Sequence, residues 1–257
     1  YPDMDSSLMH IYLIEAGDRL LAGMSPESSK KAYDFLKSMG VDIQFGKMVT
    51  DYRDHKVIMK DGSEIPTRTF LWVSGIRANA MPGINESHLG RGFRFKVDQF
   101  NRIPGLDGVF AIGDQCLQTT DEAYPNGHPQ VAQVAIQQAK NLAKNLKSIN
   151  EGQADSSLTA FKYNNLGSMA TIGRNKAVVE IGKLRSQGFF AWILWLVVHL
   201  RSILGVKNKM MVLLNWLWKY VSYNDSIRMI TYATKPREVV ERMEREQTTH
   251  LGEDLMD

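Results

Sequence analysis

Residues 109–146 read VFAIGDQCLQTTDEAYPNGHPQVAQVAIQQAKNLAKNL, and the fold turns on them. The apolar run 109–112 predicts a short buried strand ending at Gly113-Asp114. A polar loop follows. His128-Pro129 then predicts the opening of a helix, because proline at the first helical position gives up an N–H that has no intrahelical partner there. Within that helix Ala135, Ala139, Leu142 and Leu146 fall at helical spacing and predict an apolar packing stripe. Gln133 and Gln137 stand four apart and share the opposite face. Two amides turned away from the packing seam, close to a helix start, are candidates for binding. A plain surface helix would also carry glutamine on its outer face.

AIGD followed by AQVAIQQ resembles the second half of the two-dinucleotide-fold flavoproteins. More narrowly, it resembles the type II, non-proton-pumping NADH:quinone oxidoreductases. The resemblance runs over essentially the whole chain. It implies an α/β fold, the C-terminal part of a two-Rossmann-domain flavoprotein using FAD and NADH. It also implies that Asp114, with Gly113, holds the ribityl chain of FAD. The AQxAxQ motif, here Ala132 to Gln137, would line the flavin edge and the quinone site, with Ala132 and Gln133 against FAD and Gln133 and Gln137 toward the quinone. A helix start carries about half a positive charge, which suits the pyrimidine end of the flavin ring. Read without the resemblance, Asp114 is either a ligand-binding carboxylate at the crevice of a doubly wound sheet or a cap.

Working outward, 8–14 predicts a strand with Glu15 at its C-terminal end. Ser25-Pro26-Glu27 opens a predicted helix over 25–39, closed by Gly40, and 41–46 predicts a second strand. Strand, acid, helix, strand is a βαβ unit of a Rossmann half, and the acid at the strand end accepts ribose hydroxyls and repels a 2′-phosphate. Glu15 therefore favours NADH, the alternative being a surface loop acid. Alternation over 49–65, with a turn at Asp61-Gly62, predicts short antiparallel strands. FLWVS at 70–74 predicts a buried strand ending at Gly75. In the family this strand end borders the nicotinamide; the plainer reading of Gly75 is a strand-ending turn. Pro82-Gly83 punctuates a crossing between domains. The resulting division is an incomplete NADH-binding Rossmann domain over 1–82, the C-terminal part of an FAD-binding domain over 83–150, and strands plus membrane-surface helices over 151–257. No G-x-G-x-x-G turn is found, so the chain reads as a fragment of such an enzyme.

FKYNNLGSMATI at 161–172 predicts a strand and turn around Gly167. The resemblance sets this stretch near the quinone entrance, where Lys162 is a candidate; a solvated lysine on an edge strand is the alternative. From Gly188 the chain turns apolar, GFFAWILWLVVHLRSIL, and MMVLLNWLWKYV follows, ending at Val221. Neither piece reaches the roughly 20 residues a bilayer span needs. Trp192, Trp195, Trp216 and Trp218 suit the headgroup boundary, and Arg201, Lys207, Lys209 and Lys219 suit anionic lipid. Two helices lying in the membrane surface over 188–221 are expected, on the cytoplasmic face. A buried hairpin or a homodimer interface are the competing readings. The tail from Pro236 predicts a charged, solvated helix.

A net charge of +3 with dispersed basic residues argues against a nucleic-acid partner. The single cysteine, Cys116, excludes a disulfide framework, a cysteine-rich metal site and the paired thiols of sulfide:quinone chemistry. Two function classes remain. One is an FAD-dependent enzyme passing electrons from NADH to a membrane quinone, or another pyridine nucleotide-disulfide-type flavin oxidoreductase. The other is a membrane-surface scaffold derived from a degenerate flavoprotein half.

Overall fold

A computed structural model describes residues 5, 8–79, 81 and 83–222. Pro82 and the tail from Pro236 lie outside them. The chain divides into two compact units, Tyr1–Leu196 and Val197–Asp257.

The first unit opens with β1 (Ile11–Glu15), α1 (Pro26–Ser38) and β2 (Val41–Phe45). The strands pair in parallel, Ile11 opposite Val41 through Glu15 opposite Phe45, as the βαβ pattern predicts. Ser25 caps α1 by accepting from the Ser28 N–H, and Gly40, at φ +84°, ends it by turning left-handed. Leu20, Ala32 and Ile43 form the core under this unit. Glu180, from the later β9, adds to the cap: its Oε1 accepts from the Ser25 N–H at 3.0 Å and the Ser28 hydroxyl at 2.6 Å, and also from the Ser25 hydroxyl.

β3 (Val49–Arg53), β4 (Lys56–Met59) and β5 (Glu64–Pro66) make an antiparallel sheet. The turn at Asp61-Gly62 is where the sequence puts it. The other turn is Asp54-His55, both at positive φ, a geometry the twist of two antiparallel strands favours.

Residues 70–74 do not form the expected strand. They run irregularly, with Leu71 77% and Val73 91% exposed. An apolar run of this kind fits a strand covered on both faces, and among the described residues no strand pairs with it. Its order is local: Phe70 stacks on Tyr52 and meets Trp72 edge to face, and the Trp72 indole N–H donates to the Ser74 carbonyl at 3.0 Å.

β6 (Phe95–Val97) pairs in parallel with β7 (Cys116–Gln118) over a core of Phe95, Val97, Ile103, Ala111 and Cys116. The strand expected at 109–112 is displaced to β7, beyond the Gly-Asp pair. Residues 109–111 instead fold back on 101–103, through Ile103 N–H to Val109 O and Ala111 N–H to Asn101 O. Gly113, at φ +64°, then breaks the extended chain.

α2 (Ala132–Asn150) starts at Ala132, not at Pro129. The side chain of His128 is buried against Asp121, which holds residues 128–131 in a non-helical approach. β8 (Ser168–Gly173), β9 (Lys176–Ile181) and β10 (Leu184–Gln187) form an antiparallel sheet. The strand expected across 161–172 begins only after Gly167; residues 158–167 are extended without a ladder. Ala177, Val179 and Ala191 form the core between this sheet and the start of α3 (Phe189–Ser202). α4 (Val206–Ser222) buries none of its residues. Among the described residues no helix is long and apolar enough to cross a membrane.

Candidate cofactor and redox site

The Gly113-Asp114 pair sits in a short 3-10 turn, Gly113–Gln115, packed on the first turns of α2. Glycine is needed there twice over. Its φ is positive, and a Cβ would lie 3.2 Å from that of Ala135. The Gly113 N–H donates to Gln138 Oε1 at 2.7 Å, and the Gln138 amide donates to Cys116 Sγ at 3.5 Å. Gln138 is 1% exposed and fixes the turn to the helix. Sequence reasoning passed over it; its signal is its place one residue beyond the AQxAxQ motif.

Asp114 is exposed, and its carboxylate has no hydrogen-bond partner among the described residues. Only its carbonyl is engaged, by Gln130 Nε2 at 3.2 Å. α2 starts without a side-chain cap. The N–H groups of its first turn, those of Ala132 and Gln133 among them, thus meet the partial positive charge of a helix start with no side chain to neutralise it. An unpartnered carboxylate beside an uncapped helix start can accept from ligand hydroxyls on one side and offer N–H donors on the other. That donor and acceptor set fits a flavin: hydroxyls along the ribityl chain, carbonyls at the pyrimidine end.

Behind the turn, Arg94 is buried and donates to the carbonyls of Cys116 at 2.7 Å and His128 at 3.2 Å. Burial lowers its pKa, with Cys116 and Asp114 opposing. Burial likewise pushes the Cys116 thiol up, against the hydrogen bonds from Gln138 and Asn101. A buried thiol held protonated is a poor nucleophile.

Gln133 and Gln137 do not face open solvent. Gln133 donates to Gly167 O at 2.9 Å and accepts from the Leu166 N–H at 3.1 Å. Gln137 donates to Asn164 O at 2.9 Å and accepts from the Asn164 N–H at 3.1 Å. Asn141 and Asn145 continue the series, both donating to Thr159 O at 2.9 Å, while Asn145 accepts from the Thr159 N–H. The expected packing arrangement holds only in part: Ala135 and Leu142 of the apolar stripe are half-buried, Ala135 against the Gly113 turn. The amide face of α2 is the packed one, with Val134, Gln138 and Asn145 buried, while Ala139 and Leu146 are exposed. The reason is the unladdered stretch beside it, whose backbone groups, without strand partners, take many of their hydrogen bonds from polar side chains of the helix.

A second feature had no sequence signal. Asp121 Oδ2 lies 2.9 Å from His128 Nε2 and accepts from the Tyr163 N–H at 3.1 Å. Both side chains are buried. Tyr124, Phe161 and Tyr163 surround the imidazole at ring separations of 5.2–5.9 Å. Burial works to raise the Asp121 pKa, but the hydrogen bonds from His128, Tyr163 and Ala123 outweigh it and hold the carboxyl below its ordinary range.

Glu15 stands at the C-terminal end of β1, where its Oε1 accepts from the Gly17 N–H at 2.7 Å. Gly75 has φ +80° and open space where a Cβ would stand, so no close approach by the protein demands glycine there. Lys162 is exposed, on the unladdered stretch and not on an edge strand.

The profile of the pyridine nucleotide-disulphide oxidoreductase family matches residues 5–139, and that of the NDH2 C-terminal domain matches 165–222. The chain is 34% identical over 227 residues to the type II NADH:quinone oxidoreductase Ndh of Mycobacterium tuberculosis, covering 85% of this chain and 48% of the relative. It is 30% identical over 234 residues to the type II NADH:quinone oxidoreductase of Haemophilus influenzae, covering 86% and 51%. The fold matches NDH2 from Plasmodium falciparum, solved in complex with NADH, with a TM-score of 0.76 and 16% identity over 86% of this chain and 60% of that one. The chain spans about half the length of the curated relatives it matches. By the extent of the first profile, more than half of its residues, the chain belongs to the pyridine nucleotide-disulphide oxidoreductase family.

Proposed function

We propose that the protein is a type II NADH:quinone oxidoreductase, which passes electrons from NADH through FAD to a membrane quinone without pumping protons. The observation that carries this reading is the free Asp114 carboxylate beside the uncapped start of α2. Asp114 would accept from ribityl hydroxyls, and Gly113 lets the turn lie against Ala135 with Asp114 exposed beside it. The N–H groups of Ala132 and Gln133 would be the donors available to the carbonyls of the flavin ring. FAD, when bound, supplies the redox chemistry, taking a hydride and giving up an electron pair. Glu15 holds the adenosine ribose of NADH with the oxygen that Gly17 leaves free, and Gly75 borders the nicotinamide. Gln133 and Gln137 shape the edge where quinone enters, and Lys162 supplies a cation there. On this reading residues 1–82 belong to the NADH side, 83–150 to the FAD side, and 188–221 rest on lipid at the cytoplasmic face of the membrane, with a homodimer as the other use of those apolar helices.

The test is made on the full-length protein. It should carry a flavin absorption spectrum and reduce a short-chain quinone with NADH. Asp114→Ala should lower flavin affinity by about ten- to a hundredfold, the loss of a hydrogen-bonding charged group. A colourless protein that leaves NADH untouched overturns the proposal.

A further inference from the structure

We infer that Glu180 is a positioning residue for Glu15: from the β8–β10 sheet it holds the first turn of α1, and with it the connection that sets the Glu15 carboxylate. The inference rests on the reading that Glu15 holds the adenosine ribose of NADH.

Residues 16–25 join the end of β1 to the start of α1, and in a parallel βαβ unit both of those ends lie on the side where ligands bind. The connection is pinned along its length. At its start, Glu15 Oε1 accepts from the Gly17 N–H at 2.7 Å, and the Gly17 carbonyl accepts from the Gly46 N–H at 3.0 Å. In its middle, Leu20 is buried, and its carbonyl accepts from the Ser29 hydroxyl at 2.6 Å. Leu21, at φ +49°, keeps a conformation that a non-glycine residue holds only where its surroundings fix it. At its end stands Ser25, and there the anchor comes from outside the βαβ unit. Glu180 Oε1 accepts from the Ser25 N–H at 3.0 Å, the Ser28 hydroxyl at 2.6 Å and the Ser25 hydroxyl, and Oε2 lies 3.3 Å from the same N–H. Glu180 follows Ser25 by 155 residues. The three serines are thus divided, two to Glu180 and one to the Leu20 carbonyl.

The rest of α1 is fastened to the same sheet without Glu180. Lys176 Nζ donates to Ser38 Oγ at 3.2 Å and lies over the Phe35 ring, and a Cβ on Gly173 would stand 3.1 Å from the Met39 sulfur. Ile172 packs against the core of Leu20, Ala32 and Ile43. The pair Arg185–Glu27, at 3.2 Å, also spans the contact, but it is exposed and holds little. Without its carboxylate, Glu180 would therefore leave the helix on its sheet and release only its first turn. The Ser25 N–H and two hydroxyls would lose their acceptor, and the connection would be fixed at one end instead of two. A carboxylate that accepts from two neighbouring ribose hydroxyls needs a set orientation, so the effect arrives at Glu15.

The experiment uses the full-length enzyme with NADH and a short-chain quinone. Glu180→Ala should raise the KM for NADH by about three- to tenfold and leave the quinone KM unaltered, since an orientation is lost and not the contact itself. Glu180→Gln, which keeps an acceptor oxygen for the serines, should recover most of that rise. Lys176→Ala, at the other end of α1, should leave the KM for NADH within about twofold of the wild type. Glu15→Gln alone should raise it by about tenfold or more. In that background Glu180→Ala should add nothing further, because it acts through a contact already gone. The same added rise in both backgrounds overturns the inference, and so does a parallel rise for NADH and quinone or a normal KM for NADH in Glu180→Ala. A rise in Lys176→Ala equal to that in Glu180→Ala overturns it too, because docking of the whole helix is then the cause. Glu15→Gln with a normal KM for NADH sinks the ribose reading itself, an outcome seen before Glu180 is changed.

Discussion

Gln138 shows how one residue can matter more than its neighbours in a motif. It is as buried as any core side chain, and its carbonyl is what the Gly113 N–H finds. Gln138→Leu keeps the volume but leaves that N–H without a partner, at about 1–3 kcal/mol. Urea denaturation of the variant should show a lowered midpoint of that order, with an unaltered slope. The position of Asp114, after an apolar run and ahead of a helix, was legible in the sequence. Gln138 was not, because a buried amide declares itself only by what it touches. Glu15 was legible in place: strand periodicity put it at the end of β1.

Among the elements, α2 carries the lesson. Its existence and approximate span follow from the sequence, yet the face it buries does not. Hydrophobic periodicity assumes that packing is apolar. Here the neighbour is a strap without a ladder, and four amides are the complementary surface. The period of four was present in the sequence, although its meaning depended on a partner some twenty residues on. Proline misled at the helix start, because His128-Asp121 pairing overrode a local preference. That pairing also sets a pH dependence. The folded Asp121 carboxyl lies below its ordinary value of 3.8, so the stability it contributes is present above that value. It is lost as pH falls through the lower folded value. Thermal unfolding followed from neutral pH to below about pH 4 should therefore fall less steeply for Asp121→Asn than for the wild type.

At the scale of the molecule, the α/β class, the parallel βαβ unit, the small antiparallel sheet and the two C-terminal helices were all readable. Residues 70–74 were not, because composition says that a strand would be covered but not whether a neighbour stands beside it. The apolar surface of α4 is equally plain from composition. Leu214, Leu217, Trp218 and Val221 fall at i, i+3, i+4 and i+7, all more than half exposed. Leu214→Glu with Leu217→Glu should weaken binding to vesicles containing anionic lipid by about tenfold or more, as each loses roughly 1.5–3 kcal/mol of burial. Co-sedimentation measures it. Unchanged sedimentation with a dimer turned monomer would assign that surface to a second copy instead.

The Glu180 cap on α1 has one more consequence. Its carboxylate already cancels the positive pole of that helix from inside the protein, and the surrounding hydroxyls hold it ionised below its ordinary range although burial opposes them. α2 has no such internal plug. Of these two helices, then, one has its positive pole neutralised from within, and the other keeps its first N–H groups unclaimed by any capping side chain.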